Sequence, residues 1–130
     1  MKNDGSAVAM EKGVVHYLQR VEEMAGIDWT DHPAFFGVRL KHLIRGVDTD
    51  RRFSAHLVQI APHCALADHN HAGQWELHEV LAGQGSCRLQ EEVFAYHPGK
   101  MAVIPQGVAH SVEAGEEGLT MLATFFPALL

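Results

Sequence analysis

Cysteine is scarce: Cys64 and Cys87 are the only two in 130 residues, and they form no C-x-x-C pair. So small a number excludes a disulfide framework. Long hydrophobic runs are missing too. No window approaches the roughly 20 apolar residues of a membrane span. The opening stretch "MKNDGSAVAMEKG" lacks the apolar segment of a signal peptide. On these grounds a reduced, cytoplasmic protein is expected. Positive charge is also in short supply, with ten Lys and Arg against sixteen Asp and Glu, a formal net charge of −6. Apart from Arg51-Arg52 no basic run breaks that balance, so neither nucleic acid nor an anionic membrane is an expected partner. With no internal repeat, low-complexity tract or linker, residues 1–130 read as a single domain.

The composition, 47% apolar and 20% charged, is that of an ordinary globular protein. Its length suffices for one real core and not for two. Val14, Val15, Leu18, Val21 and Met24 recur at helical spacing, and Gly26 sits where a left-handed cap would fall, which predicts a helical arm over about 8–25. From Val38 onward the texture changes. Short apolar and β-branched runs such as "GVRLKHLI", "FSAHLVQIA", "WELHEVLAG", "SCRLQ", "VFAYH", "MAVI", "AHSVEA" and "LTMLATFF" alternate with Gly and Pro signals. Many short strands at this spacing predict an all-β sandwich or barrel over about 37–127.

Histidine is plentiful, with ten in the chain. The run "HNHAGQWELHEVLAG", residues 69–83, holds three of them with two glutamates. Alternate residues of a strand face one side, so His69 and His71 can both reach one ion at about 2.1 Å. A surface pair on a strand edge is the bland alternative for H-x-H alone. Glu76 follows across a short connection, and "GKMAVIPQGVAH" sets Gly99, Pro105, Gly107 and His110 in a strand–turn–strand unit.

These residues resemble the cupin superfamily, specifically its small single-domain members. The first stretch fits G-x5-H-x-H-x3-4-E-x6-G through the H-x-H, the Glu and the closing Gly83. The second fits G-x5-P-x-G-x2-H-x3-N through His110. His63 stands in place of the opening Gly and Ala114 in place of the closing Asn. The resemblance covers roughly residues 53–127. It implies a double-stranded β-helix, the jelly-roll barrel, with His69, His71, Glu76 and His110 as metal ligands. Three neutral imidazoles and one carboxylate suit one divalent transition metal per chain, whether Fe, Mn, Ni, Co or Zn.

Period two puts His78 and Val80 on the face of Glu76, with Trp75, Leu77, Glu79 and Leu81 opposite. His78 is thus the candidate catalytic group, a proton-transfer or orienting residue beside the metal; a satisfied core histidine is the alternative. His56 lines the pocket if Ser54, Val58 and Ile60 face inward; the opposite parity buries Phe53, Ala55 and Leu57. His63 and Cys64 are expected on a surface loop, Cys87 in packing, and His97 in a turn. Arg39 and Lys41 read as solvated edge charges, which leaves no evident clamp for a substrate carboxylate. A substrate held by chelating the metal is therefore expected. The expected function is a metal-dependent enzyme of dioxygenase, isomerase, decarboxylase or lyase type acting on a small organic molecule. A metal-dependent binding or sensor module without turnover is the alternative. The apolar side chains facing outward from Glu76's strand, with the tail "FFPALL", predict a homodimer.

Overall fold

A computed structural model describes residues 5–130; residues 1–4 of the expected domain lie outside it. The expected helix over 8–25 is replaced by a shorter one and a hairpin. Helix α1 spans Gly5–Lys12, and β1 (Val14–His16) pairs antiparallel with β2 (Val21–Glu23). Gly13 lies at the break, where a Cβ would come within 2.8 Å of the Ala9 carbonyl oxygen. The β-branched pair Val14-Val15 then extends rather than coils. Val15 turns inward while Val14, Leu18 and Val21 are exposed, so the helical stripe never becomes a face.

After a 3-10 turn at Met24–Gly26, the barrel begins earlier than expected, with β3 (Trp29–Asp31) pairing β4 (Val38–Ile44). Then come β5 (Ser54–Ile60) and β6 (Ala65–His69). Two pairs of expected strands fuse. "WELHEVLAG" and "SCRLQ" form one strand, β7 (Trp75–Leu89), and "AHSVEA" and "LTMLATFF" form another, β10 (His110–Phe126). Between them lie β8 (Glu92–Tyr96) and β9 (Met101–Ile104). The glycines that read as strand ends are bends instead. Gly83 has φ +76°, and a Cβ there would overlap the Gly118 carbonyl oxygen. The β7–β10 register shifts between Ala114 and Leu119, at that bend.

The bent strands belong to both sheets of a jelly roll. Their halves near Glu76 and Phe125 continue the order β3-β4-β5-β10-β7, with β9 on the far side. Their other halves lie between β6 and β8. Alternation fills the interior with Val58, Ile60, Val80, Val112, Leu119 and Met121. Burying each such side chain contributes about 1.5–3 kcal/mol. β5 is buried on both faces, so each of the two parities holds in part. His56 and Val58 face the barrel cavity, while Leu57 packs outside with Leu43 and Met24 under the N-terminal arm.

The arm also corrects Lys41, which is buried, with Nζ donating to the Glu11 carbonyl oxygen over 2.9 Å. Arg39 stays exposed, over the Trp29 ring. Cys64 is likewise half-buried against the core rather than on the surface; His63 is exposed in its loop. Cys87 is buried in packing, and His97 is exposed in a turn. Among the described residues no helix is long and apolar enough to cross a membrane.

Candidate metal centre

The four expected ligands come from three places in the fold. His69 ends β6, His71 lies in the turn just beyond it, Glu76 is the second residue of β7, and His110 opens β10. Hydrogen bonds between two turns set their convergence. The Gly107 N–H donates to the His71 carbonyl oxygen over 2.9 Å, and Gln106 Nε2 donates to that of Ala72 over 2.8 Å. Gly107, at φ +78°, holds a left-handed conformation that suits glycine. His63 adopts φ +60°, which explains why the family pattern places glycine there.

One nitrogen or oxygen from each of His69, His71, Glu76 and His110 lies within 4.8 Å of the others. His69 Nδ1–H donates to the Ala67 carbonyl oxygen over 2.7 Å, and His110 Nδ1–H to that of Val108 over 3.0 Å. Those bonds fix the tautomers, leaving both Nε2 atoms with a lone pair for a ligand. Glu76 Oε1 approaches His110 Nε2 to 3.1 Å and His71 Nε2 to 3.7 Å. The His71 contact is too long for a hydrogen bond, and Glu76 Oε1 and His110 Nε2 are both buried without a hydrogen-bond partner. Orphaned buried polar atoms of this kind cost about 1–3 kcal/mol each unless a ligand satisfies them. The donor set therefore fits a divalent transition metal.

Burial opposes charge on Glu76, yet His78 and His110 outweigh it and hold the carboxyl well below its usual range. Burial pushes His69 and His71 down, keeping them neutral and ready to ligate. His110 is also pressed down by burial, but Glu76 and the Val108 carbonyl raise it above the ordinary imidazole value.

Residues 56–125 match the family model for the cupin domain. The chain belongs to the cupin family. A search of curated proteins gave no match. Among solved structures this cupin is similar to KdgF from Halomonas sp., with TM-score 0.68 and 23% identity over 77% of this chain and 87% of that one. It is also similar to a predicted oxalate decarboxylase from Thermotoga maritima, with TM-score 0.71 and 20% identity over 79% and 95% of the two chains. Ectoine synthase from P. lautus gives TM-score 0.69 and 19% identity over 78% and 70%. At these identities the likeness is one of fold.

The cupin's site opens into a cavity of about 360 Å³. His69, His71 and Glu76 line it at one end, with Val58, Met121 and Phe125 along its wall. A second cleft, of about 500 Å³, lies outside between Phe36, Arg39 and Gln59 and contains none of the four donors. His78 does share the face of Glu76, but it sits behind the carboxylate and does not line the cavity. Its Nε2–H donates to Glu76 Oε2 over 2.6 Å, and its Nδ1 accepts from the Tyr96 hydroxyl at 2.8 Å. Nothing in "VFAYH" marks Tyr96 as a site residue, because its partner His78 lies 18 residues away in the chain. His42, half-buried in the cavity wall beside His56, likewise has no local sequence signal for its partner.

Proposed function

We propose that this cupin is a metal-dependent enzyme acting on a small organic molecule that chelates the metal. What carries the reading is the unsatisfied pair, Glu76 Oε1 and His110 Nε2, of which Glu76 lines a largely apolar cavity. His69, His71, Glu76 and His110 would hold one divalent ion per chain. When bound, the ion supplies Lewis-acid polarisation of a chelated oxygen, or dioxygen chemistry where it is iron.

The protein's own groups do the rest. Leu66, Val58, Met121 and Phe125 exclude water around the bound molecule and so strengthen every electrostatic contact there. Among the described residues the cavity lining contains no Lys or Arg, so an anionic head group has its counter-charge at the ion alone. His78, held by Tyr96, orients Glu76 and fixes which carboxylate oxygen faces the ligand position. That is the orienting role rather than direct proton transfer, since the imidazole does not reach the cavity. The similar structures named as KdgF, a predicted oxalate decarboxylase and ectoine synthase support small-molecule chemistry in this fold without choosing a reaction.

A homodimer belongs to the same reading. The arm covers Leu81 and Leu122 on the outer sheet, while Trp75, Met101, Val103 and Phe126 stay exposed. Elemental analysis of protein purified without added metal tests the central claim. About one equivalent of a transition metal per chain is expected, and a metal-free protein that takes up none on incubation would refute it.

A further inference from the structure

The cavity has a second polar end. His42 on β4 pairs with His56 on β5, their Nδ1 atoms 2.8 Å apart and their rings edge-on. His56 Nε2 in turn lies 2.8 Å from Ser54 Oγ, which also accepts the Leu129 N–H at 2.9 Å. Phe125 separates this pair from the metal end. Its ring stands 5.5 Å from His56 and 4.9 Å from His71, centroid to centroid. His42, His56 and Phe125 all line the cavity.

The hydrogen bonds decide which way the protons point. Ser54 is fully buried. Its hydroxyl proton is satisfied only by donating to His56 Nε2, since Leu129 N and His56 Nε2 are its partners. His56 must then carry its own proton on Nδ1 and donate to His42 Nδ1. His42 accordingly bears its proton on Nε2, which has no partner among the described residues. The reverse arrangement strands a buried hydroxyl proton. Burial first, and His42 second, push His56 down to about 4, so the relay is neutral near pH 7.

We propose that His42 and His56 form a second ligand subsite, which binds a neutral oxygen acceptor, a hydroxyl or carbonyl, at the end of the substrate away from the metal. This subsite rests on the metal-dependent reading above. An ion of charge +2 held by three neutral imidazoles and Glu76 keeps one net positive charge, enough for a single anionic chelating head. The apolar wall of Val58, Met121 and Phe125 takes the hydrocarbon middle. A second carboxylate at the far end would meet only a neutral N–H, since among the described residues the cavity lining holds no Lys or Arg. The ligand class is therefore a short-chain oxy acid with one chelating anionic end and one neutral oxygenated end.

The test is calorimetric titration of the metal-loaded full chain with three probes that share an α-keto acid head. These are 2-oxohexanoate, 6-hydroxy-2-oxohexanoate and 2-oxohexanedioate. The hydroxyl-ended probe should bind about fivefold more tightly than the methyl-ended one, the worth of one modest hydrogen bond. The dicarboxylate should bind weakest. His42→Phe should erase the hydroxyl preference, and His42→Gln, which keeps an N–H, should retain part of it. If metal is retained and the probes bind alike, or not at all, the subsite is refuted while the metal centre stands. A hydroxyl preference that survives His42→Phe refutes it equally. If elemental analysis finds no metal, the metal-dependent reading fails first and the ligand class falls with it.

Discussion

His78 and Glu76, two residues apart on β7, are joined by a 2.6 Å hydrogen bond from Nε2–H to Oε2. That bond occupies one carboxylate oxygen and leaves Oε1, 3.1 Å from His110 Nε2, as the one that faces the other histidines. With Tyr96 behind it, His78 would brace Glu76 as a proposed ligand. His78→Gln should keep the fold and some metal, while metal affinity, measured by chelator competition, falls by about 10–100-fold. Turnover, once a substrate is in hand, should fall at least about tenfold, or about 1.4 kcal/mol of barrier. Wild-type affinity and turnover in this variant would reduce His78 to a packing residue.

His71 is only half-buried, unlike Glu76 and His110, and lies outside the strands, so its loss should disturb the core little. His71→Ala should lose most bound metal by elemental analysis and retain the β-sheet circular dichroism of the parent. Full metal occupancy in this variant would remove His71 from the ligand set.

His56 ties folding to pH. Its imidazole is pushed down to about 4 in the fold, against about 6.5 in an unfolded chain. Above pH 6.5 both states are neutral and the group has no effect. As pH falls from about 6.5 to 4, the unfolded chain takes up a proton that the fold refuses, and stability is lost. The loss is on the order of 3 kcal/mol across that window. In metal-free protein, His56→Gln should flatten the fall in urea-unfolding stability by a comparable amount. Parallel pH profiles for parent and variant would contradict the buried, neutral placement.

Gly83 joins the two halves of β7 at φ +76°, with the Gly118 carbonyl oxygen where a Cβ would stand. Gly83→Ala should therefore cost several kcal/mol, on the order of 3 or more, because backbone rather than a flexible side chain blocks the methyl. Gly99, with open space around its Cβ position and a similar φ of +91°, serves as the control for conformation alone. Gly99→Ala should lose about 1–2 kcal/mol. Equal losses at the two sites would remove the steric argument.

Trp75 and Phe126 pair across β7 and β10, and Val103 lies opposite Leu77 on the same outer face. We expect two copies to meet there. Sedimentation at micromolar concentration should show a species of twice the 14.3 kDa chain mass, and Trp75→Glu should shift it to monomer. A monomer in the parent protein would leave the N-terminal arm as the face's sole cover.

The strand texture is legible in the sequence alone, and the motif resemblance pointed to the barrel and to the four side chains whose donor atoms converge. Period-two alternation and turn residues are local, and the spacings among His69, His71, Glu76 and His110 are written in linear order. Val14, Val15, Leu18 and Val21 misled because one spacing serves a helical stripe or a hairpin. Gly13 and packing against Met24 chose the hairpin. Only the tertiary structure could show that Gly83 and Gly118 bend continuous strands, since their close approach joins residues far apart in the chain. The same holds for the partners of buried polar groups. Tyr96 behind His78, and His42 beside His56, are set by sheet register, and register is fixed by which faces the whole barrel buries. No local signal encodes it. Which carboxylate oxygen faces the ligand, and which imidazole nitrogen faces the cavity, were decided by those long-range hydrogen bonds.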